Sequence, residues 1–241
     1  MLMEDESLTF EELVEYKHST HMEVADRLVP ALIAAARAGG SPVAGAAADV
    51  LESWDGNADV ESRGAVLFLE WAQSFWNRTR GNAFAAPWDP SDPMGTPFGL
   101  AEPGLAVQVL EEAARAVQDR YGSLDVPFGE VYRVRRDGVD LPGNGMSGPA
   151  GVFRAAGYGP AEDGKFQIGG GDSFVLAVEF GDPIRAMAVT GYGNASQPGS
   201  AHRTDQLRLF SEKRMRPVWR SREEIEANLE TRRKWEESPN P

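Results

Sequence analysis

The hydrophobic period of this chain changes at Pro127, and that change limits the architectures open to it. Before Pro127, apolar residues recur at helical spacing. Phe10, Leu13, Val14, Val24, Ala25 and Leu28 form one series up to Pro30; residues 43–54 form a second; Val66, Leu67, Phe68, Trp71 and Phe75 form a third; residues 105–121 return to the same period. After Pro127 the pattern alternates, over 131–136 and again in Phe174, Leu176, Val178 and Phe180. Helices first and a small sheet later predict an α+β class. The expected organisation is a mainly helical segment at 1–127, a β-rich segment with Gly/Pro loops at 128–204 and C-terminal helices at 205–241, together one incomplete domain.

Local signals sharpen this outline. Thr9-Phe10-Glu11-Glu12 and Ser221-Arg222-Glu223-Glu224 both fit the capping box, so helices are predicted to start there. Asp59 is a candidate N-cap for the third helix. Residues 88–103 and 138–159 are rich in Gly and Pro and read as irregular excursions. Gly181-Asp182-Pro183 is a turn signal, so 174–180 and 184–190 should pair as a hairpin. The 174–180 strand carries Val175, Ala177 and Glu179 on its other face, which makes it apolar on nearly both sides, as a central strand is. A hairpin and one or two short strands cannot cover both faces, so neighbouring strands are expected from outside this chain.

A hydrophobic fraction of 41%, with 6 Trp and 11 Phe, suffices for a packed core. The net charge of −13 and a pI near 4.7 argue against binding to nucleic acid or to an anionic membrane. Charge is uneven: Glu4, Asp5, Glu6, Glu11 and Glu12 crowd the start, and Lys213, Arg214, Arg216, Arg220, Arg222, Arg232, Arg233 and Lys234 crowd the end. With no cysteine, thiol catalysis, disulfides and Cys-ligated metal are excluded. No apolar run approaches the roughly 18 residues of a membrane span, and the acidic start is unlike the basic start of a signal peptide.

Several patterns invite chemical readings. Gly143-Asn144-Gly145-Met146-Ser147-Gly148 matches G-x-G-x-x-G, but neither a preceding strand nor an opening helix accompanies it, so a flexible loop is expected. Asp55-Gly56-Asn57-Ala58-Asp59 starts like a calcium loop yet lacks the required Gly and Glu further on, which leaves a turn. His18 and His21 lie at helical spacing without an assured third ligand, so no metal and no cofactor is predicted. Asn77-Arg78-Thr79 and Asn194-Ala195-Ser196 are glycosylation sequons, a pattern common by chance. The densest polar stretch is 191–210, with Asn194, Ser196, Gln197, Ser200, His202, Asp205 and Gln206 around Pro198-Gly199. It can be a connection that satisfies its own backbone, with Gly193 and Gly199 supplying unusual dihedrals, Asn194, Ser196 and Ser200 serving amides, and Asp205 near a helix start. It can also wall a substrate pocket, or assemble Ser200, His202 and Asp205 as a triad, although triad members so close in sequence rarely converge.

Taken in order, Leu51-Glu52-Ser53-Trp54-Asp55-Gly56, Glu61-Ser62-Arg63-Gly64-Ala65 with Phe68, Gly169-Gly170-Gly171-Asp172-Ser173, and residues 193–206 resemble the penicillin acylase family of N-terminal-nucleophile hydrolases, particularly its acyl-homoserine lactone and aculeacin-type acylases. Arg216-Pro217-Val218-Trp219 resembles that family's closing segment. The resemblance implies the C-terminal part of a β subunit within an αββα fold. It implies an amidohydrolase acting on linear amides such as acyl-homoserine lactones, penicillins or lipopeptide antibiotics, typically periplasmic or secreted. The nucleophilic Ser with its own α-amine as base, and the oxyanion Asn, are then expected upstream of Met1. The partner is expected to be the upstream portion of the same precursor, and this chain alone is expected to be inactive. Gly40-Ser41, Gly122-Ser123 and Gly199-Ser200 provide the dipeptide the family often cuts, but none precedes a sequence like its mature β start. Two other readings stand beside this one: a stand-alone interaction module derived from the acylase scaffold, and an unrelated enzyme using His202.

Overall fold

Thr9 opens the first helix of the computed structural model, which describes residues 7–232; Glu4, Asp5, Glu6, Arg233 and Lys234 lie outside the described residues. The Thr9 hydroxyl accepts from the Glu12 amide at 3.3 Å while the Glu12 carboxylate accepts from the Thr9 amide at 2.8 Å, starting α1 (Phe10–Lys17). The helix does not continue to Pro30 as the apolar spacing predicts. Met22 donates its amide to Gly56 O and Ala58 donates to Thr20 O, both at 2.9 Å, and these bonds hold the chain out of helix between α1 and α2 (Glu23–Gly39). Pro30 then sits inside α2 rather than at its end. It lies on the exposed side, where the buried stripe of Ala25, Leu28, Leu32 and Ala36 against α3 (Pro42–Ser53) outweighs one lost amide bond.

The turn after α3 is a knot of side chains. The Asp55 carboxylate accepts from the Asn57 amide (3.0 Å) and from the Ser62 hydroxyl (3.0 and 3.2 Å), and Trp54 Nε1 donates to Asn57 O (2.9 Å). Asp59 is not the N-cap of the next helix. Its carboxylate accepts from the Val60 amide and pairs with Lys213, and α4 (Ala65–Arg78) begins only after Gly64. Gly64 has φ of 120°, and a Cβ there would sit 2.5 Å from Trp54 Cβ, so this close approach requires glycine. A short ribbon of β1 (Phe84–Ala86) and β2 (Phe98–Leu100) leads into α5 (Pro103–Tyr121). Trp71 at the centre of α4 is fully buried and donates Nε1 to Ala106 O of α5 at 3.0 Å.

After α6 (Phe128–Val131) the strands begin. β3 (Tyr132–Arg136) and β4 (Val139–Pro142) form a hairpin through Asp137 and Gly138, with φ of 48° and 81°, the left-handed pair that a two-residue turn requires. The 138–159 stretch is thus not an excursion throughout: it supplies β4 and the start of β5 (Ala156–Pro160). β6 (Phe166–Gly171) runs parallel to β3, giving the order β4-β3-β6-β5. A second sheet, β7 (Phe174–Glu179), β8 (Arg185–Thr190) and β9 (Arg216–Pro217), is antiparallel in the order β7-β8-β9, with Phe174 opposite Thr190 and Glu179 opposite Arg185. Between β8 and β9 lies α7 (Leu207–Ser211), and α8 (Arg222–Ala227) follows with the Ser221/Glu224 capping box formed.

Burial follows this division. One core gathers α2 to α6 around Leu28, Leu51, Phe68, Trp71, Leu110 and Phe128. A smaller one joins Phe10, Ile168, Val175, Val189, Leu207 and Phe210 beneath the sheets. Two glycines should respond in opposite directions. Gly64→Ala combines backbone strain with collision on Trp54 and should lower stability by at least about 2 kcal/mol. Gly45→Ala, inside α3 where an added Cβ meets nothing within 4 Å, should raise it by about 0.5–1 kcal/mol. Urea unfolding of both variants checks the pair.

Candidate functional site

The polar loop after β8 is folded on itself. The Ser200 hydroxyl accepts from the His202 amide (3.2 Å), Ala195 donates its amide to His202 O (3.1 Å), and Ser200 donates its amide to Gln197 O (3.3 Å). Arg203 donates to Ser196 O and pairs with Asp137 of the β3–β4 turn. The bonds fall differently from the expectation that Asn194, Ser196 and Ser200 serve loop amides: only Ser200 does so. Asn194 Oδ1 meets the Thr190 hydroxyl and Gln206 Nε2, each at 3.3 Å, and the buried Gln206 accepts from the Thr190 amide at 3.0 Å. Gly199 is left-handed with φ of 82°, whereas Gly193 is not; a Cβ on Gly193 would collide with the His202 carbonyl oxygen. Asp205 does not cap α7, which starts after Gln206.

His202 and Asp205 do come together, with Nδ1 to Oδ2 at 2.9 Å, and this hydrogen bond raises the imidazole pKa above its usual value. A carboxylate-oriented imidazole is two-thirds of a triad. Ser200 does not complete it, because its hydroxyl bonds the His202 backbone rather than the ring. The imidazole is well exposed and borders an open hollow with Trp219, Ile225 and Leu229. The other serines that follow glycine are also engaged: Ser41 caps α3 through the Ala44 amide, and the Ser123 hydroxyl donates to Asp125.

His18 and His21 do not share a site. His18 is buried, with Nδ1 bonded to Val14 O at 2.8 Å, while His21 bonds Asp26 at 2.7 Å near the surface. Among the described residues no group of three or more His, Cys, Asp or Glu side chains is arranged to hold a metal, and no helix is long and apolar enough to cross a membrane.

The G-x-G-x-x-G stretch is not a flexible loop. Gly143, Asn144 and Gly145 are buried, and Asn144 is the centre of a polar cluster that periodicity does not reveal. Its Oδ1 accepts from Arg154 Nε, and its Nδ2 donates to Ser211 O at 2.6 Å. Arg154, 1% exposed, donates Nη2 to Phe210 O at 2.6 Å and lies over the Phe210 ring at 4.4 Å. No carboxylate contacts it among the described residues, and burial pushes its pKa down. The Phe210 carbonyl at the C-terminal end of α7 and the Asn144 amide oxygen accept from it instead. The signal available in the sequence was an Asn between two glycines, which admits too many readings to identify a buried partner.

The remaining unusual surface is on β7. Val175 and Ala177 pack into the smaller core, and Phe174 (59% exposed) and Leu176 (50%) face outward, followed by Phe180 (88%). β7 is an edge strand, and no strand pairs with its free side among the described residues. That side borders a groove of about 250 Å³ lined by Leu13, Val14, Phe153 and Met215.

A family model described as penicillin amidase matches residues 1–227. The chain belongs to the penicillin amidase family. Among curated relatives, an acyl-homoserine lactone acylase of Pseudomonas fluorescens is 30% identical over 185 residues, covering 74% of this chain and 24% of the relative. Aculeacin-A acylase of Actinoplanes utahensis is 30% identical over 175 residues, covering 70% and 21%. The chain thus spans about a quarter of the length of the curated relatives it matches. A thermostable penicillin G acylase from Alcaligenes faecalis has a similar fold, with a TM-score of 0.50 and 14% identity over 99% of this chain and 51% of that one. The α+β fold of this penicillin amidase family member is therefore of the N-terminal-nucleophile hydrolase type.

Two outcomes follow from the buried cluster. Asn144→Leu leaves Arg154 Nε without a partner and should cost about 3 kcal/mol; adding Arg154→Met, which removes the stranded charge, should recover part of that loss. Strictly additive effects in urea unfolding would show the two side chains to be uncoupled. His18 supplies a pH dependence. Burial, with Arg154 as the nearest weighing charge, lowers its pKa from 6.5, so the fold favours neutral imidazole. Its contribution is fully present above pH 6.5 and is lost as pH falls below that value towards the folded pKa. Between pH 7.5 and 5.5 the native protein should lose more stability than His18→Gln.

Proposed function

We propose that this chain is the C-terminal part of the β subunit of an acylase that hydrolyses linear amides, such as the acyl amide of a homoserine lactone, a penicillin or a lipopeptide antibiotic. In this reading it supplies scaffold: the helical half buttresses the fold, and β7 to β9 extend a sheet whose other strands come from the rest of the precursor. The nucleophilic Ser, its α-amine base and the oxyanion Asn lie outside these 241 residues. The complete protein is periplasmic or secreted. The loop at 191–210, with Asn194, Ser196, Gln197, Ser200, His202 and Asp205, acts as a strand-to-helix connection.

One observation carries the reading. The free edge and outer face of β7 present Phe174, Leu176 and Phe180 to solvent beside an apolar groove. An unpaired edge of this kind favours pairing with another strand, and an apolar face beside it favours burial. Membership of the penicillin amidase family supports the remainder of an acylase chain as that partner, since the chain covers 24% of an acylase relative.

The alternative of a stand-alone module predicts a monodisperse protein. On the scaffold reading, the purified chain should self-associate, and Phe174→Glu with Leu176→Lys should shift it towards monomer without lowering its melting temperature. Release of free amine from acyl-homoserine lactone should be undetectable for the chain alone, since losing a nucleophile costs about a millionfold, and should appear on co-folding with the rest of the precursor. Activity in the chain alone that vanishes in His202→Ala would overturn the assignment in favour of chemistry at the loop.

A further inference from the structure

A cavity of about 430 Å³ opens between α2, α4 and the four-stranded sheet, a volume in the range that holds small ligands. It lies on other elements than β7 and the polar loop. Phe75 and Trp76 of α4 and Tyr132, Tyr158 and Phe166 of the sheet give it a largely aromatic wall. Tyr132 is fixed in that wall. Its ring stacks on Phe128 (4.3 Å, 3°) and on Phe166 (4.9 Å, 11°), with Tyr158 edge-on at 5.0 Å.

Its hydroxyl is the unusual feature. Tyr132 is only 8% exposed as a residue, but its hydroxyl stays accessible and makes no hydrogen bond to a described residue, whereas the neighbouring Tyr158 hydroxyl donates to Asn144 O at 2.9 Å. An accessible hydroxyl without a protein partner is available to a guest. Burial pushes the Tyr132 pKa up, so the group keeps its proton and remains a donor. The cavity is otherwise apolar apart from Glu70, Gln73, Ser74 and Ser147. Glu70 has Arg120 at 3.9 Å, and its charge disfavours an anionic guest.

We infer that this cavity binds a neutral aromatic molecule carrying one hydrogen-bond-accepting oxygen, such as an aryl ketone, with the Tyr132 hydroxyl as donor. Aromatic walls favour a flat ring through offset and edge contacts beyond simple burial. A donor fixed in a largely aromatic wall gives orientation and favours guests that carry an acceptor. The inference does not rest on the amide-hydrolase reading, and either can fail without the other.

Acetophenone and ethylbenzene, alike in shape but differing in the oxygen, test it when titrated into the 241-residue chain and followed by ligand-observed NMR. Both should bind saturably, acetophenone about tenfold tighter. Tyr132→Phe, which keeps the ring stack, should erase that difference, and Ala72→Phe, which fills the cavity from α4, should abolish both while thermal unfolding stays cooperative. If Ala72→Phe does not fold, Leu69→Trp narrows the same wall. The inference is overturned by absence of saturable binding, by a preference for acetophenone that survives Tyr132→Phe, or by binding that survives the filling variant. Loss of binding on co-folding with the rest of the precursor also overturns it, since the cavity would then be a seat for polypeptide.

Discussion

The Arg154 guanidinium, buried without a carboxylate, is the constraint around which the second half of the molecule is arranged. Asn144 Oδ1 and the Phe210 carbonyl accept its protons, and Asn144 passes the link on to Ser211 O. The Arg154 amide donates to Ser19 O, Tyr158 donates to Asn144 O, and Gly145 donates its amide to Ala58 O. One charge therefore ties the α1–α2 break, the turn before α4, the strand β5 and the helix α7 to a single point. Nη1 of this buried cation has no partner among the described residues, so its compensation rests on the bonds to Asn144 and Phe210, which hold these segments in register more strictly than apolar packing alone would demand. The irregular run at 143–148 has its shape because Asn144 must face inward.

Around that point the chain divides its burial unequally. The helices α2 to α5 enclose a core of their own, with Trp71 and Phe68 at its centre. In the β7–β9 sheet, Val175, Ala177 and Val189 face the smaller core, while Phe174 and Leu176 of β7 are exposed on the other face. The polar loop sits on the same side of the chain's organisation, its groups largely occupied with each other and with Asp137. On the proposed acylase reading, this arrangement suits a segment that is rigid internally and leaves Phe174, Leu176 and Phe180 of the β7 edge for the rest of the precursor.

Much of this was legible along the chain because it depends on near neighbours. The Thr9/Glu12 and Ser221/Glu224 boxes need only four residues to form, and the 174–180 and 184–190 alternation is visible without any partner. The ordered motifs around Trp54, Gly64, Asp172 and Pro198 carried the family. Two of the failures had a more distant cause. Pro30 was read as a stop because a proline removes an amide bond, but packing against α3 carries the helix past it. Asp59 looked like a cap, yet Lys213, far along the chain, takes its carboxylate. Residues 138–159 looked irregular for a local reason: their glycines mask the alternation of β4 and of the start of β5, although the partners β3 and β6 are close in sequence.

The sequence by itself determined the class and order of elements, the exclusion of thiol and Cys-metal chemistry, and kinship with the penicillin amidases. Local periodicity, capping and turn chemistry act over a few residues and are written in consecutive letters. Only the tertiary structure decided which polar side chains are buried and which are merely close. Asn144 meets Arg154, and Arg154 meets Phe210, because the chain returns to the same place after long intervals. The Tyr132 ring is stacked between Phe128 and Phe166, which come from separate elements. Hydrogen bonding at 3 Å is a property of positions in space, and sequence separation carries almost no information about it.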